Sequence, residues 1–367
     1  MRVLILTNSD IGLYKFRREL LQEFAKNHYE VYASLPVGEF TPQIKELGVH
    51  YIVTEMNRRG KNPFEEFNVL KDYMKIVREV KPDVILTYTI KSNVYGGLAA
   101  KMNHVPYISN ITGFGSAFEK EGLFQKFIKV LYTSALSKAS KTFFQNQANL
   151  DYMLEHKIIK KDSDYELIPG SGVNLDFFRY TAYPSDDVIS FVFAGRMMKE
   201  KGFDLYLDTA EYIHGKYPNT IFHICGLQEE NYEQRVKDLV ERGICVYHES
   251  VDDMRPIYGQ MHCIIHPTYY PEGMSNVLLE ACSCGRPIIT TDRPGCKEIV
   301  DDEINGFIVK QKDLEDLKEK VERFINLNNV QREQMGKNAR KKVEEQFSRQ
   351  IVVDKYMEAI EKYGKKS

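Results

Sequence analysis

The segment Pro267-Thr268-Tyr269-Tyr270-Pro271-Glu272-Gly273-Met274-Ser275-Asn276-Val277-Leu278-Leu279-Glu280-Ala281 sets two carboxylates eight residues apart around an expected helix start. The apolar run 263–266 reads as a strand ending in a proline-containing loop, with a helix beginning at about 273–275. The first turn of a helix leaves backbone N–H groups unpaired, and its dipole favours an anion there. A diphosphate is a natural occupant. Glu272, just ahead of the helix, can hydrogen-bond sugar hydroxyls beyond the phosphates. Glu280, about 12 Å further on at full helical rise, matches a ribose diol, because a carboxylate accepts from two adjacent hydroxyls. A single helical glutamate is ordinarily a solvated residue. Glu280, however, runs into Ala281-Cys282-Ser283-Cys284-Gly285, an apolar stretch where an idle carboxylate would be costly.

A second segment, Phe193-Ala194-Gly195-Arg196-Met197-Met198-Lys199-Glu200-Lys201-Gly202-Phe203, follows another strand and puts Arg196 and Lys201 where the next helix starts. Two cations five residues apart in one loop can neutralise a diphosphate and stabilise it as a leaving group. Standing alone, this segment would equally suit an exposed basic turn. Beside the paired glutamates, the phosphate reading is the better one.

These loops need strands to hold them. Short apolar runs alternate with amphipathic stretches along the whole chain, the signature of parallel βαβ units and an α/β fold. A first series of strands is expected at 2–7, 30–35, 50–54, 83–88, 106–109 and 141–145, with helices such as 16–26 and 64–80 between them. A second series is expected at 188–194, 220–225, 244–247, 263–266, 287–290 and 306–309. Pro169-Gly170-Ser171-Gly172 breaks the pattern, which sets domains at 1–170 and 171–348. The tail at 349–367 opens with a charged amphipathic helix bearing Ile351, Val352, Tyr356 and Ile360 on one face, free to pack back on the first domain. Two doubly wound, Rossmann-like domains bind ligands outside the carboxyl ends of their strands, so they are expected to face each other across a cleft.

The 367 residues suffice for two cores, and 43% hydrophobic with 28% charged residues is an ordinary globular balance. A net charge of −2 gives no reason to expect a nucleic-acid partner. The amino terminus runs straight into a strand without a signal region, and no apolar stretch approaches the roughly 20 residues of a bilayer span. The expected location is the cytoplasm, either free or at the inner face of the membrane. The six cysteines, Cys225, Cys245, Cys263, Cys282, Cys284 and Cys296, form no CxxC pair and read as buried free thiols.

Gly-Arg-x4-Lys-Gly at 195–202 and Glu-Gly-x6-Glu at 272–280 together closely resemble the retaining glycosyltransferases of family 4, which have the GT-B fold. Gly285-Arg286-Pro287-Ile288-Ile289-Thr290-Thr291 and the Gly295…Glu298-Ile299-Val300…Gly306 stretch fit the same pattern. The likeness is greatest to bacterial enzymes that build lipid-linked glycans for capsule, O-antigen or glycoprotein assembly. Tyr14-x-Phe16-Arg17, Pro82-Asp83 and Lys91-Ser92-Asn93 point the same way. The resemblance implies that Arg196 and Lys201 bind the donor diphosphate. Glu272 and the backbone of Gly273-Met274-Ser275-Asn276 would hold the sugar end, and Glu280 the ribose. Gly195, Gly226 and the 248–251 loop, with Ser250 and Val251, would line the rest of the donor pocket. The implied donor is a UDP-hexose or UDP-N-acetylhexosamine and the implied acceptor a polyprenyl-diphosphate-linked or growing glycan, with no cofactor and no metal.

On the acceptor side, a loop from Thr7 to Tyr14 is expected, with Gly12 permitting close approach of backbone. It is not the GxGxxG dinucleotide fingerprint. Further loops carry Thr89–Asn93 and Thr112-Gly113-Phe114-Gly115-Ser116. Tyr14, Arg17, Lys91 and Asn93 are candidates for a phosphate-bearing acceptor, against the plain alternative of surface residues. The stretch 123–139 sets Phe124, Phe127, Ile128, Leu131, Tyr132 and Leu136 beside Lys126, Lys129 and Lys138. It suits either packing on its own sheet or a peripheral contact with anionic lipid. Many family members carry a histidine after the fourth strand. Here the sequence is Leu86-Thr87-Tyr88-Thr89-Ile90-Lys91, so no general base is assigned. Asp162-Ser163-Asp164 matches the DxD of metal-using transferases but reads as a solvated turn. A nucleotide-sugar epimerase of the same architecture and a non-catalytic binding subunit are the competing readings.

Overall fold

The computed structural model describes residues 1–56, 63–113, 122–185 and 187–364. The chain forms two compact units, Met1–Gly172 with Arg349–Ser367, and Val173–Ser348. The change of unit follows Gly170 and Gly172, both in the left-handed region at φ 63° and 64°. A side chain would be strained at either position.

In the first unit the order is β1 (Arg2–Leu6), α1 (Asp10–Lys26), β2 (Glu30–Leu35), α2 (Thr41–Glu46), β3 (His50–Val53), α3 (Pro63–Val80), β4 (Val84–Tyr88), α4 (Gly97–Met102), β5 (Tyr107–Ile111), α5 (Leu123–Leu136), β6 (Lys141–Phe144), α6 (Gln147–Glu155) and β7 (Tyr165–Leu167). The strands form one parallel sheet in the order β3-β2-β1-β4-β5-β6-β7. In β4 all five residues, Val-Ile-Leu-Thr-Tyr, are buried, as expected of a central parallel strand covered on both faces.

The second unit repeats the plan with β8 (Ile189–Ala194), α7 (Phe203–Lys216), β9 (Thr220–Cys225), α8 (Glu233–Glu241), β10 (Cys245–Tyr247), α9 (Arg255–Gln260), β11 (Cys263–His266), α10 (Asn276–Ser283), β12 (Ile288–Thr291), β13 (Gly306–Val309), α11 (Leu314–Ile325) and α12 (Asn329–Gln346). Its sheet order is β10-β9-β8-β11-β12-β13. Phe203, Tyr206, Leu207, Leu317 and Phe324 cover one face, and Tyr258, Leu278, Leu279, Ala339 and Val343 the other. In each sheet the winding direction reverses once, between β1 and β4 and between β8 and β11. Ligands of such sheets bind outside the carboxyl ends of the strands at that reversal.

The last helix, α13 (Arg349–Tyr363), belongs to the first unit. Val352, Tyr356 and Ile360 are buried against α1 as the amphipathic pattern requires, joined by Val353 and Ala359, while Ile351 is only half-buried. Arg349 fixes its start, bonding to Glu19 at 2.7 Å and to the Gly172 carbonyl at 3.0 Å. The DxD-like Asp162-Ser163-Asp164 turn differs from expectation. Asp164 is half-buried rather than solvated, and pairs with Lys141 at 3.2 Å and Lys362 at 3.0 Å. All six cysteines are free and buried, and burial pushes the Cys225, Cys245 and Cys284 thiols up to about 12.

Candidate functional site

At the reversal of the second sheet, the turn after β8 and the loop after β11 are tied together backbone to backbone. Tyr269 N–H donates to the Glu200 carbonyl at 2.9 Å. Gly202 makes the approach possible: at φ 72°, a Cβ there would stand 2.1 Å from the Pro267 carbonyl oxygen. The consequence is a cluster of opposite charges. Lys201 pairs with Glu272, and both side chains are largely buried. Arg196 grips Glu229 with one nitrogen 2.8 and 3.0 Å from the two carboxylate oxygens. The Tyr270 ring lies against both cations, 5.4 Å from the Arg196 guanidinium carbon and 5.2 Å from Lys201 Nζ. Such contacts favour a cation by about 0.5–2 kcal/mol.

The next helix, α10, begins at Asn276, so Glu272 precedes it by four residues and its separation from Glu280 is not all helical rise. Ser275 is its N-cap, yet the serine side chain makes no capping bond. The N-terminal dipole of α10 therefore sits beside the Lys201–Glu272 pair without the usual side-chain acceptor. Gly295, at φ 89°, lies beneath Glu272 and Gly273: a Cβ there would come 2.7 Å from the Gly273 oxygen. The Gly295 carbonyl accepts from Ser275 N–H at 2.8 Å, which fixes the Gly273-Met274-Ser275 turn, and Met274 packs into the core.

Glu280 is half-buried on α10, where the Tyr258 hydroxyl donates to its Oε2 at 3.4 Å. Tyr258 is in turn held by Arg286, which is fully buried and donates Nε to the Tyr258 carbonyl at 2.7 Å. Arg286 also donates to the carbonyls of Ala182 at 2.9 Å and Gly259 at 3.1 Å. It thus braces Glu280 from below through α9, using neutral acceptors. At the outer strands, Gly226 N–H donates to the Glu249 carbonyl at 2.7 Å, which draws the loop carrying Ser250 and Val251 to the end of β9. Ser250 is exposed and Val251 half-buried there.

Four of these supports, Tyr270, Glu229, Tyr258 and His266, have no role in the sequence reading. His266 ends β11 with 1% exposure, and neither ring nitrogen has a hydrogen-bond partner among the described residues. Burial, and after it the Lys201 charge, holds its pKa well below the ordinary value, so the ring is neutral. Its only signal in the sequence is a histidine at the end of an apolar strand, next to Pro267.

A pair of histidines joins β9 to the residue after β10. His223 Nδ1 and His248 Nε2 are 2.8 Å apart, with rings stacked at 5.1 Å. Burial, and then His248, lowers His223 to about 4; burial also lowers His248. Both folded values lie below the unfolded value of about 6.5. The unfolded chain therefore takes up protons first as pH falls, and the stability that the neutral pair provides is complete above that value and lost on descending towards 4. The melting temperature is expected to fall between pH 7 and 5, and to fall less in His223→Gln. Equal losses in the two proteins would remove this pair as the cause.

In the first unit the predicted residues are not all brought together. The expected Thr7–Tyr14 loop is shorter than the sequence reading: Ser9 caps α1 by accepting from Gly12 N–H at 3.0 Å, so Gly12 and Tyr14 are helical. Tyr14 stacks on Phe40 at 5.1 Å. Lys91 is paired with Glu66. Asn93 is buried, its Oδ1 accepting from Thr87 at 2.7 Å and its Nδ2 donating to the Asn110 carbonyl at 2.8 Å. Arg17 is buried at the reversal of the first sheet. The 114–116 part of the expected third loop lies outside the described residues. On α5, Tyr132, Ala135 and Leu136 pack inward while Phe127 and Val130 are 57% and 66% exposed, so the helix presents an apolar side outward as well. Among the described residues, no helix is long and apolar enough to cross a membrane.

Two family profiles match the chain, "Glycosyl transferase 4-like" over residues 2–146 and "Glycosyl transferases group 1" over residues 181–342. One similar curated protein is the N,N'-diacetylbacillosaminyl-diphospho-undecaprenol alpha-1,3-N-acetylgalactosaminyltransferase of Campylobacter jejuni, 25% identical over 99% of each chain. Another is the capsular polysaccharide biosynthesis glycosyltransferase CapM of Staphylococcus aureus, 28% identical over 78% of this chain and 79% of that one. Among solved structures, a glycosyltransferase from Rickettsia africae matches with a TM-score of 0.80 at 20% identity, over 98% of both chains. An Anabaena protein in complex with UDP and glucose matches with a TM-score of 0.78 at 16% identity, over 99% of this chain and all of that one. These structural likenesses show the fold, GT-B, with two Rossmann-like domains.

Proposed function

The chain belongs to the glycosyltransferases of the group 1 and 4-like families, and on that premise we propose that it moves a hexose or N-acetylhexosamine from a UDP-sugar to a lipid-linked or growing glycan. The observation that carries the reading is the meeting of Arg196, Lys201 and Glu272 beside the α10 N-terminus, which the Ser275 side chain does not cap. In this reading the second unit, Val173–Ser348, binds the donor and the first unit the acceptor. Arg196 and Lys201 exchange their carboxylate partners for the two phosphates, whose charge the α10 N-terminus also favours. Glu272, released from Lys201, takes sugar hydroxyls, Glu280 takes the ribose diol, and Gly195, Gly226, Ser250 and Val251 border the nucleoside. UDP in the Anabaena complex and the diphospho-undecaprenol acceptor in the name of the Campylobacter relative support the choice of substrates.

The chemistry is retention without a dedicated base. The bond from the sugar's anomeric carbon to the β-phosphate oxygen breaks, and the acceptor oxygen forms its bond on the same face. The acceptor proton passes to the departing phosphate oxygen, whose charge Arg196 and Lys201 stabilise. The epimerase and binding-subunit readings are less favoured, since the Campylobacter and Staphylococcus relatives are named as transferases. The test is a panel of UDP-, GDP- and ADP-sugars with EDTA present, read as thermal shift and slow hydrolysis. The UDP-sugar should both stabilise the protein and be hydrolysed. Stabilisation by another nucleotide alone, or turnover wholly dependent on added divalent metal, would contradict the reading.

A further inference from the structure

The first unit holds, at its own sheet reversal, a buried cation that the donor chemistry does not use. Arg17, reaching in from α1, is 5% exposed, and its guanidinium carbon lies 5.0 Å from the Tyr88 ring centre and 5.9 Å from that of Tyr356. One nitrogen, Nη1, donates to the Phe16 carbonyl at 2.8 Å, while Nε has no partner among the described residues. No described carboxylate pairs with it. Aromatic faces offset only part of the cost of burying an unpaired charge.

Three more buried polar atoms without a well-formed hydrogen bond among the described residues lie at the same edge: Tyr88 Oη, Thr89 Oγ1 and Asn8 Oδ1. β1 and β4 are adjacent with Leu6 opposite Thr87, and Asn8 and Thr89 each lie two residues beyond that last pair. Thr89 itself sits at φ 73°, a conformation strained for a β-branched residue. Strain and unsatisfied buried groups persist where a ligand completes them. By contrast, Lys91 already has Glu66, and Asn93 is bonded at both ends of its amide.

We infer that the carboxyl edge of β1 and β4 is a binding site for the phosphate-bearing part of the acceptor, with the anion on Arg17 and Tyr88 and an adjoining sugar hydroxyl on Thr89 and Asn8. The inference rests on the transferase reading for the identity of the ligand as acceptor; the site itself is defined by the first unit alone.

The experiment uses the full chain carrying Arg196→Ala and Lys201→Ala, so that the donor phosphates have no cradle, and titrates inorganic pyrophosphate by calorimetry. Pyrophosphate should still bind this parent, about 10- to 100-fold more weakly once Tyr88→Phe is added, the loss of one hydrogen bond to a charged group. Arg17→Gln should abolish binding. Should Arg17→Gln fail to fold, Tyr88→Phe decides. It removes a buried hydroxyl whose neighbours in the protein are Arg17 and Tyr356, so a purely structural Tyr88 predicts unchanged pyrophosphate affinity, with any effect confined to the melting temperature. Unchanged affinity in Tyr88→Phe, or no pyrophosphate binding by the parent, overturns the site. Failure of the donor reading would show separately, as absence of UDP binding to the unaltered protein.

Discussion

Lys201→Met is expected to lower the rate of sugar transfer by about 10²–10³-fold while leaving the protein folded, the effect usual for removing one preorganised charge from a leaving group. Lys201 is largely buried, pairs with Glu272 and lies against Tyr270, so its ammonium is held where the phosphate charge would develop. Removing it takes that cation from Glu272, and losing one half of a largely buried ion pair lowers stability. Lys201→Met/Glu272→Gln removes both charges of that pair. It should recover the melting temperature lost by Lys201→Met but none of the activity. A double variant that regained transfer would show that the lysine acts only by neutralising Glu272.

The largest structural effect is expected at a position with no side chain. Gly226 has φ 148°, and a Cβ there would stand 1.8 Å from the Gly195 carbonyl oxygen. Gly226→Ala must therefore push apart the ends of β8 and β9 and shift Arg196, the residue after Gly195. Backbone strain and overpacking together cost about 2–6 kcal/mol, or roughly 5–20 °C in melting temperature for a unit of this size. Gly243→Ala is the control. Its φ of 72° carries the conformational strain, but nothing lies within 4 Å of the added carbon. Similar losses in the two variants would mean that the contact with Gly195 is not what requires glycine at 226.

How much of this is legible in the sequence depends on whether the signal is local. The strands that carry the donor residues can be read because apolar runs such as Ile189–Ala194 and Cys263–His266 are largely buried on both faces. β7 escapes the sequence reading as an element of the first sheet. It has three residues, Tyr-Glu-Leu, at the sheet edge, and none is buried. The start of α1 lies earlier than the sequence reading for a different reason: Ser9-Asp10 is a capping signal, but Gly12 two residues on suggests a loop. Arg196, Lys201, Glu272 and Glu280 stand out by type and spacing alone. Their partners do not, since Glu229 reaches Arg196 across 33 residues and Arg286 supports Tyr258 across 28. No periodicity encodes such contacts. Nor does the sequence reveal the burial of Asn93, whose side chain is polar yet serves the interior through Thr87 and Asn110.

The most direct test of the donor site is a crystal structure with UDP bound. The account predicts the diphosphate in hydrogen-bonding reach of Arg196, Lys201 and the first backbone N–H groups of α10, with Glu229 and Glu272 displaced from the two cations and the ribose hydroxyls on Glu280. UDP found elsewhere, with both ion pairs still closed, would contradict it.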